Sequence, residues 1–436
     1  MIRAALTALA LVIAALPARA IEIKEVTSPG GISAWLVEEH SIPFVALEIR
    51  FRGGASLDVE GKRGATNLMT GLIEEGTGDL DARGFAAARD DLAASYEFDV
   101  YDDSLSVSAR FLSENRDEAV DLLARALSAP SFDADAVERV RQQVLSGIRS
   151  DATDPNEIAS TAFAALAYGD HPYATSYNGT LESVTALTRD DIVEAHQNAI
   201  ARDRVYVGAA GDITPEELGA LMDRLFADLP ETGAPIPGDA EIGLTGGTTL
   251  IDFATPQSVA LFGHEGIERD DPDFFAAFVA NEIFGGSGRM SRLSNEVREK
   301  RGLTYGVGSY LVNYDKADML LGQFSSANDR MAEAIEIVKA EWRKIAAEGV
   351  TEEELADAKT YLTGAYPLRF DGNGPIARIM VGMQMVGLTP DYINDRNPRI
   401  EAVTLEDIRR VAERIYRADD LRFVVVGQPE GVEATN

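Results

Sequence analysis

The sequence predicts an α+β protein of two homologous α/β-sandwich domains, each an antiparallel sheet with helices on one face. Three observations carry that prediction. The chain is written twice: Tyr101–Asn115 reads YDDSLSVSARFLSEN, and 213 positions later Tyr314–Asn328 reads YDKADMLLGQFSSAN. At an offset of 216, Thr188–Ile192 (TRDDI) and the strand-like Val205–Gly211 return as Thr404–Ile408 (TLEDI) and Leu421–Gly427. Two matches at nearly one offset, in the same order, indicate a duplicated domain of about 210 residues. Adjacent strands follow one another without crossover helices, which favours antiparallel pairing. Between the copies, Leu229–Gly247 (LPETGAPIPGDAEIGLTGG) is rich in Pro and Gly and lacks periodicity, the pattern of an exposed linker.

Taken in order, residues 1–20 read as a signal peptide. Arg3 gives a positive start, Ala4–Leu16 is apolar apart from Thr7, and Ala18-Arg19-Ala20 offers small residues to a signal peptidase. The apolar run is far short of the roughly 20 residues a membrane helix needs. The expectation is an exported, periplasmic chain (secretion beyond the periplasm stays open) with no membrane span after cleavage. Residues 21–230 then form the first domain. Ser41–Phe51 and Leu105–Phe111 alternate as strands, and Lys62–Glu74, Asp81–Ala94, Asp117–Leu127 and Asp133–Arg149 have helical periodicity. Thr188 and Thr404 precede helical runs with Asp191 and Asp407 three residues on, the signature of a capping box. Residues 231–247 are the linker and 248–436 the second domain.

Composition narrows the chemistry. Of 436 residues, 45% are hydrophobic, enough for two packed cores. With no cysteine, disulfides, thiolate zinc, iron–sulfur clusters and cysteine nucleophiles are excluded. A net charge of −32 with no run of Lys and Arg argues against nucleic acid as a partner. The histidines are four, His40, His171, His196 and His264, too few for much histidine-based metal chemistry.

The most informative segment is Phe284–Leu311, FGGSGRMSRLSNEVREKRGLTYGVGSYL. Gly285-Gly286-Ser287-Gly288 marks a turn. Met290, Leu293 and Val297 fall at helical spacing, so Ser291–Lys300 is expected as a helix, ended by Gly302, with Tyr305–Leu311 a strand. Arg298 and Tyr305 then flank a helix-to-strand turn, where a guanidinium and a phenol can both donate to a carbonyl or carboxylate. A solvated arginine beside a strand-packing tyrosine fits the same pattern. The glycine turn lacks the spacing and lysine of a phosphate-binding P-loop.

These residues resemble a known family. The glycine turn followed by R-L-x-x-x-V-R-E-K-x-G-L-x-Y, together with two homologous halves, is similar to the pitrilysin and mitochondrial-processing-peptidase family of zinc peptidases, the inverzincins. Gly53-Gly54-Ala55-Ser56, Glu75-Gly76-Thr77, His171-Pro172-Tyr173 and Gly211-Asp212 extend the resemblance through the first half. It implies a clam-shell arrangement of the halves. In active members an H-x-x-E-H helix and a later glutamate hold zinc, and the glutamate inside the motif is the general base. Aligned on Glu75-Gly76-Thr77, those positions are Asn67, Thr70 and Gly71, with Gly147 near the place of the later glutamate. Asparagine is a poor zinc ligand, glycine has no side chain, and threonine is no base near neutral pH. No metal is therefore expected in this chain. His264, Glu265 and Glu268 lie at a strand end and read as solvated or core residues, and His196 as structural.

The resemblance also implies a partner. Some members work as two chains, one with the zinc motif and one with only the arginine and tyrosine. The expected function is thus the non-catalytic, substrate-binding subunit of a heterodimeric zinc metalloendopeptidase. Arg298 and Tyr305 would hold peptide substrates at zinc carried by a homologous subunit. The alternative is a catalytically inert structural or peptide-binding protein of the same fold, for which respiratory-complex core subunits are the precedent.

Overall fold

The computed structural model describes residues 21–286 and 291–435; the signal-peptide expectation, the end of the glycine turn and Met290 lie outside them. Each half is built on one sheet. The first has the strand order 24–27, 33–38, 205–211, 44–52, 104–112, 95–100. The second runs 247–252, 422–427, 257–265, 318–327, 307–313, the same order without the first edge strand. The sequence repeats fall on equivalent strands: Ser104–Leu112 matches Asp318–Ala327, and Val205–Gly211 matches Arg422–Gly427.

Pairing is antiparallel except for one parallel pair in each sheet, 33–38 with 205–211 and 247–252 with 422–427. Those two strands of each half are joined through most of its other elements, a connection long enough to return in parallel. Both predicted caps form. Asp191 N–H donates to Thr188 Oγ1 (3.2 Å) and Thr188 N–H to Asp191 Oδ2 (2.7 Å), while Asp407 and Thr404 repeat the exchange at 3.1 and 3.0 Å. The predicted helix over 62–74 is shorter, Ala65–Thr70 followed by a 3₁₀ turn at Ile73–Glu75. Gly71 and the bend after it explain the loss of register.

Helices of each half cover one face of its sheet, and a helix of the other half covers the second face. Pro155–Tyr168 lays Ala159, Phe163 and Ala167 on Val259, Val424 and Val426 of the second sheet. In return, Asn373–Met385 sets Ile376, Met380 and Met383 against Trp35 and Ala210 of the first. Size is complementary. A Cβ on Gly208 would meet Ala377 O at 2.6 Å, so the first sheet stays small where the helix brings methionines, and the second presents valines to an alanine-rich helix. Leu229 to Gly246 crosses between halves without regular structure, held by Ala240 N–H to Lys316 O (2.8 Å) and Gly243 N–H to Ala167 O (2.9 Å).

The duplicated hairpins meet at the centre. Tyr101-Asp102-Asp103 and Tyr314-Asp315-Lys316 occupy the same hairpin turn in the two copies. Asp103 Oδ2 accepts from Asp315 N–H (2.9 Å), its Oδ1 accepts from the Tyr173 hydroxyl, and Arg52 pairs with Asp315 at 3.2 Å. Tyr168 packs edge-on to Tyr173 and Tyr314, which are tilted to each other, with ring centroids 5.2–6.4 Å apart.

Met380 is fully buried in the borrowed helix. Met380→Ala should cost about 2–5 kcal/mol, read from denaturant midpoints. It should also speed amide exchange at Val207–Ala210 in the first half. Unchanged exchange there would show that the halves are energetically independent.

Candidate functional site

The short helix carrying the zinc-motif positions is fixed by Asp58. Its Oδ1 accepts from Thr66 N–H (2.9 Å) and Oγ1 (2.7 Å), and its Oδ2 from Gly64 N–H (2.8 Å). Asn67 Nδ2 donates to Asn178 Oδ1 at 3.2 Å, and Asn178 Nδ2 to Asp151 Oδ2 at 3.3 Å. The buried Thr70 hydroxyl turns back to Thr66 O (2.8 Å). Gly71 is exposed at the helix end, where a Cβ would stand 3.1 Å from Val140 Cγ1, and Gly147 is exposed on helix Ala134–Asp151. Zinc does not fit this set. One amide is already bonded, one hydroxyl is committed to its own helix, and two positions have no side chain.

Arg298 and Tyr305 are placed by different devices. Ser294–Glu299 is a π-helical turn, with Lys300 N–H bonded to Asn295 O at 3.0 Å, rather than the α-helix expected over 291–300. Such wide turns occur frequently at functional sites. Arg298 projects from it into a cleft of about 440 Å³, lined also by Gly285, Gly286, Tyr310 and Ser325. Its nearest carboxylate, Glu299, is 3.7 Å away. The glycine turn sets one wall: a Cβ on Gly285 would stand 2.1 Å from Ser309 Oγ, so only glycine lets helix Phe274–Gly285 end against the edge strand Val307–Asn313. Asn281 locks that approach, donating to Ser309 O (3.0 Å) and accepting from Ser309 Oγ (2.7 Å).

Tyr305 precedes the strand instead of opening it. Gly302 (φ +60°) ends the turn, and Thr304 Oγ1 donates to Gly306 O (2.7 Å) while accepting from Gly306 N–H (3.1 Å), which splays Tyr305 outward. The residue is 87% exposed. Arg298 and Tyr305 therefore share one segment, but Arg298 lines the cleft and Tyr305 does not.

The histidines are accounted for by packing. His264 is buried; it donates from Nδ1 to Glu265 O (2.7 Å) and accepts at Nε2 from Trp342 Nε1 (3.2 Å). Burial pushes its pKa down to about 4. Glu265 and Glu268 are exposed, and Glu265 faces Arg417 at 3.6 Å. Buried His196 bonds Leu127 O at 2.7 Å, His171 bonds the linker at Gly238 O (3.1 Å), and His40 pairs with Asp212 (2.8 Å). A separate feature escaped the sequence reading. Around helix Phe274–Gly285, Arg269, Arg369 and Arg396 gather in an aromatic cavity although they lie up to 127 positions apart.

Two family models match consecutive stretches of the chain: insulinase (peptidase family M16) over residues 34–181 and peptidase M16 inactive domain over residues 186–362. The chain belongs to the M16 peptidase family. It is 26% identical over 392 residues to the non-peptidase homolog YmxG of Helicobacter pylori, covering 89% of this chain and 90% of that one. An uncharacterized zinc protease of Mycobacterium leprae is 28% identical over 406 residues, with 91% and 90% covered. The solved peptidase M16 inactive domain of Pseudomonas fluorescens superimposes with a TM-score of 0.88 at 27% identity, over 95% of this chain and all of that one. M16 relatives thus carry both peptidase and non-peptidase names. In this M16 chain positions 67, 70, 71 and 147 are Asn, Thr, Gly and Gly.

The triple change Asn67→His, Thr70→Glu, Gly71→His should leave zinc sub-stoichiometric by elemental analysis after dialysis. The third ligand is still missing, and an imidazole in place of Gly71 would press on Val140. One tightly held zinc per chain would contradict this assignment. The His264 environment predicts a second outcome. Its folded pKa lies below the unfolded value, so the unfolded state binds more protons as pH falls from about 6.5 towards 4, and stability is lost across that window. At pH 5 the loss reaches about 2 kcal/mol. In His264→Gln, which can keep both hydrogen bonds, this share of the pH dependence should vanish from urea unfolding measured at pH 7 and 5.

Proposed function

We propose that this M16 chain is the non-catalytic, substrate-binding subunit of a two-chain zinc metalloendopeptidase acting on peptides in the periplasm. A homologous subunit with an intact H-x-x-E-H helix would carry the zinc, and this chain would supply Arg298 and Tyr305. One observation carries the reading: Tyr305 stands 87% exposed one residue before Gly306 of the Arg298 cleft, neither packed in the strand nor hydrogen-bonded through its hydroxyl among the described residues. A structural tyrosine would bury its ring. The zinc-motif positions show the reverse, each polar group being satisfied within the first half.

The roles follow from the groups. Arg298 presents a planar fork that can clamp a substrate carbonyl or terminal carboxylate, its one ion-pair partner among the described residues being half-exposed Glu299 at 3.7 Å. Tyr305 donates one hydrogen bond to a neighbouring carbonyl or to a developing oxyanion. The adjacent Val307–Asn313 is the outermost strand of its sheet, a surface along which an extended peptide can align. The name of the Helicobacter pylori relative, a non-peptidase homolog, agrees with a chain that cleaves nothing alone.

The experiment is made on the assembled pair. Arg298→Ala and Tyr305→Phe should leave folding, assembly and the partner's zinc intact while peptide hydrolysis collapses. Loss of an oxyanion donor lowers kcat by about 10²–10³, so Tyr305→Phe should act on kcat if it meets the oxyanion and on KM if it meets a ground-state carbonyl. Arg298→Lys should rescue poorly, because an ammonium lacks the forked geometry. Near-full activity in both single variants would favour a catalytically inert structural or peptide-binding protein instead.

A further inference from the structure

The aromatic cavity beside helix Phe274–Gly285 has a composition that packing alone does not require. Its volume is about 690 Å³, the size of small-ligand pockets. Phe274, Phe275, Phe278, Tyr366 and Tyr392 form its apolar walls, and Arg269, Arg369, Arg378 and Arg396 line it with them. In a chain with 72 acidic residues, no Asp or Glu lines it among the described residues.

Two of these arginines, Arg269 and Arg396, are held by ring faces rather than by carboxylates. The Arg396 guanidinium carbon lies 4.2 Å from the Tyr366 ring centre and 5.6 Å from that of Phe278. That of Arg269 lies 4.4 Å from Phe274 and 5.7 Å from Tyr392, whose hydroxyl accepts from Arg269 Nη2 at 3.0 Å. Stacking fixes the planes of both forks and uses none of their N–H donors. Arg396 is the telling case, with 6% of its surface exposed. Its Nη1 donates to Leu362 O (3.2 Å) and Asn397 Oδ1 (3.0 Å), both neutral acceptors, and the rest of its fork is left to the cavity. Burial above all, and then Arg369 and Arg269 nearby, lower its pKa. Burying a cation without a counter-charge is costly. By contrast, half-buried Arg292 makes two 2.6 Å bonds to Glu354, and buried Arg422 spends its fork on Thr245, Thr249 and Thr435.

We propose that this cavity is a binding site for a carboxylate carried on an aromatic or apolar body, the acid meeting the Arg269, Arg369 and Arg396 forks and the body lying among the Phe and Tyr rings. A small organic acid and the C-terminal residue of a peptide share this chemistry. The site has no lining residue in common with the Arg298 cleft and does not depend on the subunit role proposed above.

The test is calorimetric titration of the full chain with N-acetylphenylalanine, N-acetylphenylalaninamide, a hexapeptide ending in Phe with a free or amidated terminus, and inorganic phosphate. At low salt the free acids should bind, and their amides should bind roughly tenfold weaker or worse. Tighter binding of the free-ended hexapeptide than of the small acid would identify a chain terminus as the ligand; the converse would identify a small acid. Arg396→Gln should abolish binding, and Arg369→Gln, at the exposed rim, should weaken it several-fold without changing thermal unfolding. If Arg396→Gln does not fold, Arg369→Gln and the acid–amide pair still decide. Equal affinity of acid and amide, no binding of either acid, an unaffected Arg369→Gln, or a preference for inorganic phosphate would each overturn the proposal.

Discussion

A sheet has two faces, and the helices packed beside it in its own half cover only one here. The open face of each sheet would otherwise expose a broad apolar patch to water, Val424 and Val426 on one side and Trp35 and Ala210 on the other. The halves resolve this by exchange, Pro155–Tyr168 going to the second sheet and Asn373–Met385 to the first. Everything else is arranged around that exchange. It explains why the central strands are buried along their lengths, every residue of Arg422–Gly427 being so. It also fixes the orientation of the helices that build the aromatic cavity, since Asn373–Met385 has one side on the first sheet and carries Arg378 and Ile379 on the cavity side.

The polar junction completes what the exchange begins. Arg63 donates from Nη2 to Asp102 Oδ1 (2.6 Å) and Thr175 O (2.9 Å) and from Nη1 to Ala55 O, tying together the Gly-Gly-Ala-Ser turn, the first hairpin and the segment after His171-Pro172-Tyr173. Asp103 then reaches across to the second hairpin. Burial raises the Asp102 pKa against the pull of Arg63. Such buried pairs contribute little net stability, but removing one partner strands the other charge. Their effect is to specify one orientation of the halves, and that orientation positions Arg52 between Tyr206 of the first half and Asp315 of the second.

Much of this was legible in the sequence because it is local or repeated. The duplication appeared as two matches of similar offset, and the caps at Thr188 and Thr404 as a threonine with an acid three residues on. The Arg298–Tyr305 segment could be read from apolar spacing and a terminal glycine. What the sequence did not reveal depends on distance. The borrowed helices have ordinary apolar faces, and nothing in Asn373–Met385 says that its methionines face a sheet of the other half. The π-helical turn at Ser294–Glu299 has an α-helical apolar pattern and is recognised only by its 3.0 Å Lys300–Asn295 bond. The search for runs of Lys and Arg could not find Arg269, Arg369 and Arg396, because their charges are brought together by three separate elements.

The two halves descend from one pattern yet treat their polar groups in opposite ways, and this contrast bears most directly on function. In the first half the zinc-motif positions have closed on themselves. Asn67 bonds Asn178, Asn178 bonds Asp151, and Thr70 bonds its own helix, so a substrate entering there gains no hydrogen bond that the protein does not already make. In the second half the equivalent region is held open. Asn281 and Ser309 satisfy each other and keep Gly285 against the edge strand, while the Thr304–Gly306 turn pushes Tyr305 into solvent. The neighbouring Arg298 side chain is about one-third exposed. Exposed donors on a rigid support retain their bonding capacity for a ligand, since little order has to be gained on binding.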